Sequence, residues 1–137
     1  MRVGGYSEMT GERCPTGVQP AVLVAVYDIG LQAGFEGKIQ PKIVLWWESS
    51  QRDTKGRPFT LPDTVTASSN EKATLTARYG ALMGKPPTEA ECEEGFDMDL
   101  CIGKCCLLNV VPPKKQGGWP RIDSVMPLPL GMPAYKS

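Results

Sequence analysis

The chain contains no histidine. That excludes a Ser-His-Asp triad, a Cys-His pair, a histidine-ligated metal and an imidazole acid/base. It has no excess of charge, because fifteen basic and fifteen acidic residues cancel. Bulk electrostatics therefore names no partner. No apolar run reaches the roughly 18 residues of a membrane span, and Met1 to Gly17 lack the apolar core of a secretory signal. A reducing cytosol is the expected compartment, with no membrane partner. Cysteines are few and odd in number: Cys14, Cys92, Cys101, Cys105 and Cys106. Their C-x3-C-C spacing has no CxxC knuckle, and vicinal thiols ligate one ion tetrahedrally only with difficulty. Free thiols acting as small apolar side chains are expected, with no metal and no cofactor.

What is present is the size and make-up of one globular domain. The chain has 137 residues, 41% hydrophobic, 22% charged and 7% aromatic. Fifteen Gly and thirteen Pro favour short strands and turns over long helices. Charge is unevenly spread. Residues 36–60 hold five cations and three anions, residues 61–100 three cations and eight anions, and residues 101–137 five cations and one anion. An acidic middle between two basic stretches can still present a basic face if those stretches meet.

Residues 1–17 are polar and Gly-rich and read as a loose arm. Val18 to Leu31, dense in Val and Ala, reads as a first strand buried on both sides near its middle. Lys38 to Glu48 alternates. Ile39, Ile43, Leu45 and Trp47 fall on one face, and Lys38, Gln40, Lys42, Val44, Trp46 and Glu48 on the other. Trp46 and Trp47 cannot both be core on one strand, so Trp46 is expected to be exposed. A third strand spans Arg57 to Ala67. Ser68-Ser69-Asn70-Glu71 then reads as a capping box for a helix ending at Gly84, before Pro86. Thr88 to Glu91 repeats the capping pattern for a short second helix or turn. Lys104 to Val111 is a fourth strand. A basic loop with Lys114 and Lys115 leads into a fifth, Trp119 to Met126, with Trp119 and Arg121 facing outward. Tyr27 and Phe35 read as packing residues. The tail, 127–137, is Pro-rich and extended.

Strand, strand, strand, helix, strand, strand predicts a mainly β domain over residues 18–126. The expected architecture is a five-stranded OB-fold-like barrel with one helix between the third and fourth strands. A small sandwich with an accessory helix is the rival. In an OB-fold the ligand lies across the second and third strands and the flanking loops. The residues expected there are Lys38, Gln40, Lys42, Trp46, Arg57, Phe59, Lys114, Lys115, Trp119 and Arg121. Cations for phosphates and flat rings for unstacked bases are what a single strand requires.

Several blocks resemble a known family: GVQPAVLVAVYDIG, KIVLWWE, SSNEKATLTARYGALMGKPPT, FDMDLCIGKCCLLNVV and IDSVMPLPLGMP. They are similar to small tailed-phage single-stranded DNA-binding proteins encoded among replication and recombination genes. The resemblance covers about residues 17–133, and Phe96-Asp97, Ile102-Gly103-Lys104 and Met126 to Pro129 are its most specific parts. It implies an OB-fold, non-enzymatic single-stranded DNA binding and the cytoplasm of an infected bacterial host. Further candidate partners are RNA, phage recombinase or replication proteins, and a second copy in a homodimer. The chain lacks the acidic C-terminal tail through which bacterial single-strand binders dock other enzymes. The rival function is a phage accessory module that binds a host or phage protein. Enzymatic chemistry is not expected, because no paired catalytic constellation is visible.

Overall fold

The fold is described by a computed structural model covering residues 12–34 and 37–136. Phe35 and the first part of the N-terminal arm lie outside the described residues. The Val- and Ala-rich run builds a long strand, β1 (Gly17–Ala33), which turns back into β2 (Ile39–Arg52). A tight turn held by Asp53, whose Oδ1 accepts from the Lys55 and Arg57 amides, leads into β3 (Pro58–Thr66). After α1 (Thr74–Met83), α2 (Glu89–Glu94) and a 3-10 turn (Met98–Cys101) come β4 (Cys105–Val111) and β5 (Arg121–Pro127).

The five strands form one antiparallel sheet in the order β3-β2-β1-β4-β5. The sheet is open. The outer strands β3 and β5 approach each other, but no ladder joins them, so the sheet does not close into a barrel. α1 lies against β5 and β3 across this gap. It covers one face of the sheet, where the core gathers Leu23, Leu45, Trp47, Leu61, Leu75, Tyr79, Leu82, Cys106 and Leu108.

One polar contact ties that helix to the sheet. Arg78 of α1 reaches Asp63 of β3 at 2.9 Å, and Trp47 Nε1 donates to the same carboxylate oxygen at 3.2 Å. All three side chains are buried. A buried ion pair is costly to desolvate but costlier to break, so it fixes which turn of α1 faces β3.

Helix starts differ from the sequence reading in one place. Ser68 and Asn70 do not cap α1. Their side chains accept from the Asn70 and Lys72 amides and build turns, and the N-cap is Ala73 with no side-chain bond. Local turn bonding by Ser and Asn competes with helix initiation, and here it wins. The second box is real: Thr88 accepts from the Glu91 amide, and Glu91 accepts from the Thr88 amide. Gly84, at φ 78°, ends α1 in the left-handed conformation that suits glycine.

The N-terminal segment, as far as described, is anchored. Cys14 is buried, Glu12 accepts from Thr54, and Arg13 bonds the Gly117 carbonyl. Cys14, Gln19 and Ser49 form a buried polar cluster in which both the Cys14 thiol and the Ser49 hydroxyl donate to Gln19 Oε1.

Candidate nucleic-acid interface

Cross-strand partners in a sheet point to the same side, so the register sorts the candidate residues. Leu45, Trp47 and Leu61 face the core. On the opposite, outer face β2 presents Gln40, Lys42, Val44, Trp46 and Glu48. Beside them stand Tyr27 and Ala25 of β1 and Thr66, Thr64, Pro62 and Thr60 of β3. Lys42 and Trp46 do share this face, as strand parity predicts.

Exposure on the outer face does not follow the sequence reading. Trp46 is only 9% exposed, and Trp47 is fully buried. Both indoles of the pair are covered, one on each side of the sheet. On the outer face the C-terminal tail returns beside this pair. The Tyr135 carbonyl accepts from the Cys105 thiol at 2.7 Å, and its hydroxyl donates to Glu48 at 2.9 Å. Cys105, Val22 and Glu48 form a single cross-strand row, so Tyr135 spans β4, β1 and β2 next to the Trp46 row. Arg52 holds the Tyr135 hydroxyl at 3.2 Å and stacks over its ring. Burial, and then the Glu48 contact, pushes the Tyr135 hydroxyl up to about 12.

Phe59 is also corrected. It lies two residues from Leu61 on the core side and is 2% exposed, so it packs inside rather than lining the outer face.

The exposed ring on this face is Tyr27, 55% exposed and paired with Val44 between the Lys42 and Trp46 rows. It was expected to pack. β4 pairs with β1 only from Gly17 to Val22, so the outer half of β1 has cover from β2 alone. The sequence carries a faint signal of this, in the change from a Val-Ala run to Tyr27-Asp28-Ile29-Gly30. A bulge there uses Gly30 at φ 70°, whose amide donates to Asp28 Oδ1 at 2.8 Å.

Around Tyr27 the face is polar and cationic. Lys42 Nζ donates to Thr66 Oγ1 at 2.8 Å, and the Thr66 hydroxyl lies 3.4 Å from Gln40 Oε1. Lys38 is exposed just before β2 begins. Tyr27, Lys38, Gln40 and Lys42 therefore form one cluster at the β1–β2 end of the sheet.

The other candidates gather at the opposite end. Lys114, Lys115, Trp119 and Arg121 belong to the β4–β5 loop and the start of β5, and all four are exposed. Trp119 is 41% exposed with the Arg13 guanidinium 5.2 Å from its ring centre. Arg121 Nε donates to the Pro112 carbonyl. Arg57 is exposed at this same end, beside the start of β3. Arg13 was not anticipated, because nothing in the sequence joins residue 13 to residue 119. Gly17 pairs with Val110 at one end of β1 and Gly30 with Lys42 at the other, so the two clusters lie roughly 40 Å apart along the strand.

A pocket of about 840 Å³ between the turn before α1 and α2 is lined by Glu71, Glu89 and Glu93 with only Lys72 opposing them. The buried thiols are unsuited to nucleophilic work, since burial pushes Cys14 up to about 11 and Cys106 up to about 12. Among the described residues no helix is long and apolar enough to cross a membrane. Comparison with family models, with curated proteins and with solved structures finds no match for the chain.

Proposed function

We propose that the protein binds single-stranded nucleic acid without sequence preference, through the outer face of β1–β2–β3 and the two loops that bound it. The preferred ligand is single-stranded DNA, in the setting of phage replication or recombination that the family resemblance suggests. One observation carries the reading: Tyr27, an exposed ring, stands on the same open sheet face as Lys42 and Gln40. A ring for base stacking beside a cation for phosphate is the minimal unit of single-strand binding. Trp119, Arg13, Lys114, Lys115 and Arg121 supply a second such unit at the far loop.

We read the open sheet as OB-fold-like, which fits the same function. The two sheet edges, β3 and β5, come near each other, and α1 sits across the gap, as in a partly open five-stranded barrel. In such barrels the second and third strands and their flanking loops hold oligonucleotides.

The test is a gel-shift and fluorescence series with oligo-dT, duplex DNA and RNA of equal length. Oligo-dT is expected to bind most tightly, with affinity falling steeply as salt rises. Lys42→Ala is expected to flatten that salt dependence. Tyr27→Ala is expected to weaken binding by about five- to 150-fold, the cost of one stacked base. Quenching should come from Trp119, the exposed indole, and vanish in Trp119→Phe. No binding to oligo-dT, or equal affinity of wild type and both alanine variants, would sink the proposal.

A further inference from the structure

The chain leaves β5 at Pro127 and turns at once. The Met132 amide donates to the Pro129 carbonyl at 3.1 Å, and this proline-rich turn sends the tail back over the sheet. Tyr135 meets the Cys105–Val22–Glu48 row of the outer face. Along β1 that row lies roughly 17 Å from Gly17 and roughly 26 Å from Gly30. Tyr135 therefore stands between the two basic, aromatic clusters and on the same face as Tyr27 and Lys42.

A single strand joining the two clusters would find little else to hold it there. Val18, Pro20 and Val22 of β1 and Leu107 of β4 are apolar, and Glu48 is the carboxylate in the outer row of β2. An open carboxylate repels a passing phosphate. Tyr135 changes that. Its hydroxyl donates to Glu48 at 2.9 Å and accepts from Arg52 Nη2 at 3.2 Å, so it stands between carboxylate and guanidinium. Among the described residues no ion pair joins Arg52 to Glu48 directly. Arg52 is exposed, and its guanidinium lies 5.9 Å from the centre of the half-buried Tyr135 ring. A guanidinium has five N–H donors, so the bond to Tyr135 leaves others for an anion.

We infer that Tyr135 and Arg52 form a third, central subsite for the single strand, the ring stacking a base and the guanidinium holding a phosphate. This rests on the reading of the outer face as a nucleic-acid interface and makes the C-terminal tail part of it. The unit repeats the pairing of ring and cation seen in Tyr27 with Lys42 and in Trp119 with Arg13. Three such units in line keep one strand in contact along the face, where two would leave roughly 40 Å to be bridged unsupported. Capping Glu48 removes repulsion, the reverse of what a cover against a polyanion would need.

The test titrates the full chain and its variants with oligo-dT of about 16 nucleotides, the upper end of what one such domain covers. Tyr135→Ala is expected to weaken binding by about five- to 150-fold, and Tyr135→Phe, which keeps the ring, by less. Arg52→Ala should lower the slope of log affinity against log salt by about 0.7, the share of one phosphate on a single strand. Fluorescence gives a readout that a merely structural tail would not move. Trp46 and Trp47 are buried, so Trp119→Phe should show no quenching by oligo-dT. Adding Tyr135→Trp to that variant should restore it. Tyr135→Ala binding as tightly as wild type overturns the inference, and so does tighter binding, which would mark the tail as a cover that the strand displaces. An indole at position 135 that bound oligo-dT leaves unquenched overturns it as well, even if Tyr135→Ala fails to fold. Oligo-dT that binds neither wild type nor variants removes the whole interface. Binding that these substitutions leave intact removes the central subsite alone.

Discussion

At the scale of single residues, side chains that look alike in sequence do different work. Trp46 and Trp47 are neighbours on opposite faces of the sheet, yet both are buried. Trp46→Ala is therefore expected to lower stability by about 3–5 kcal/mol, as large-to-small core changes do, rather than act on binding alone. Chemical denaturation followed by circular dichroism measures it. Asp63 carries a heavier burden, since it accepts from both Arg78 and Trp47 inside the core. Asp63→Ala leaves a buried guanidinium without its anion and is expected to cost about 3–5 kcal/mol. Replacing Asp63 and Arg78 together with apolar residues of similar volume should cost less than Asp63→Ala alone. If the single variant melts with the wild type, the ion pair does not anchor α1.

At the scale of elements, capping and pairing decide the boundaries. α2 is short and has no buried residue, so it depends on its Thr88–Glu91 box and on the bond between Tyr79 and Glu91. Thr88→Ala is expected to cost about 1 kcal/mol, and Thr88→Ser almost nothing. Hydrogen exchange at the Glu91 and Cys92 amides would report the loss locally. Much of this scale was readable in advance. Five strands and the main helix fall close to their expected positions, because Gly and Pro punctuate the chain and apolar spacing changes from two to nearly four after Ala67. The alternation in β2 correctly placed Lys42 with Trp46 and Leu45 with Trp47. What failed was the Ser68 box. Its Ser-x-x-Glu pattern suits a cap, but Ser68 and Asn70 satisfy nearby amides in turns first.

At the scale of the whole molecule, burial of neutral acids sets the response to pH. Cys14 rises from 9.0 to about 11 and Cys106 from 9.0 to about 12, both through burial. The hydroxyl of Tyr79 rises from 10.0 to about 12, chiefly through its bond to Glu91. A raised acid favours the fold while protonated, so this stability is fully present below about pH 9 and is lost as pH climbs toward 12. Glu91 is lowered from 4.5 by the Thr88 amide and then by the Tyr79 hydroxyl. Its contribution is present above that pH and disappears as acid protonates it. Melting temperature should therefore be flat between about pH 5 and 9 and fall on both sides. In Tyr79→Phe, the acid limb should soften and the alkaline limb should shift. A melting curve indifferent to pH above 9 would contradict the buried-thiol account.

The chain's own order of residues was enough for its β character, for the position of its helix and for the parity of β2. Those depend on neighbours a few residues apart, where strand and helix periods act directly. Tertiary structure alone decided which face is open. Trp46 is 9% and Tyr27 55% exposed although both stand on one face, and Tyr135, far along the chain, crosses back to Glu48 two residues from Trp46. Arg13 meets Trp119 for the same reason, across more than a hundred residues. Exposure depends on what lies over a residue, and no local pattern records a cover supplied from a distant part of the chain.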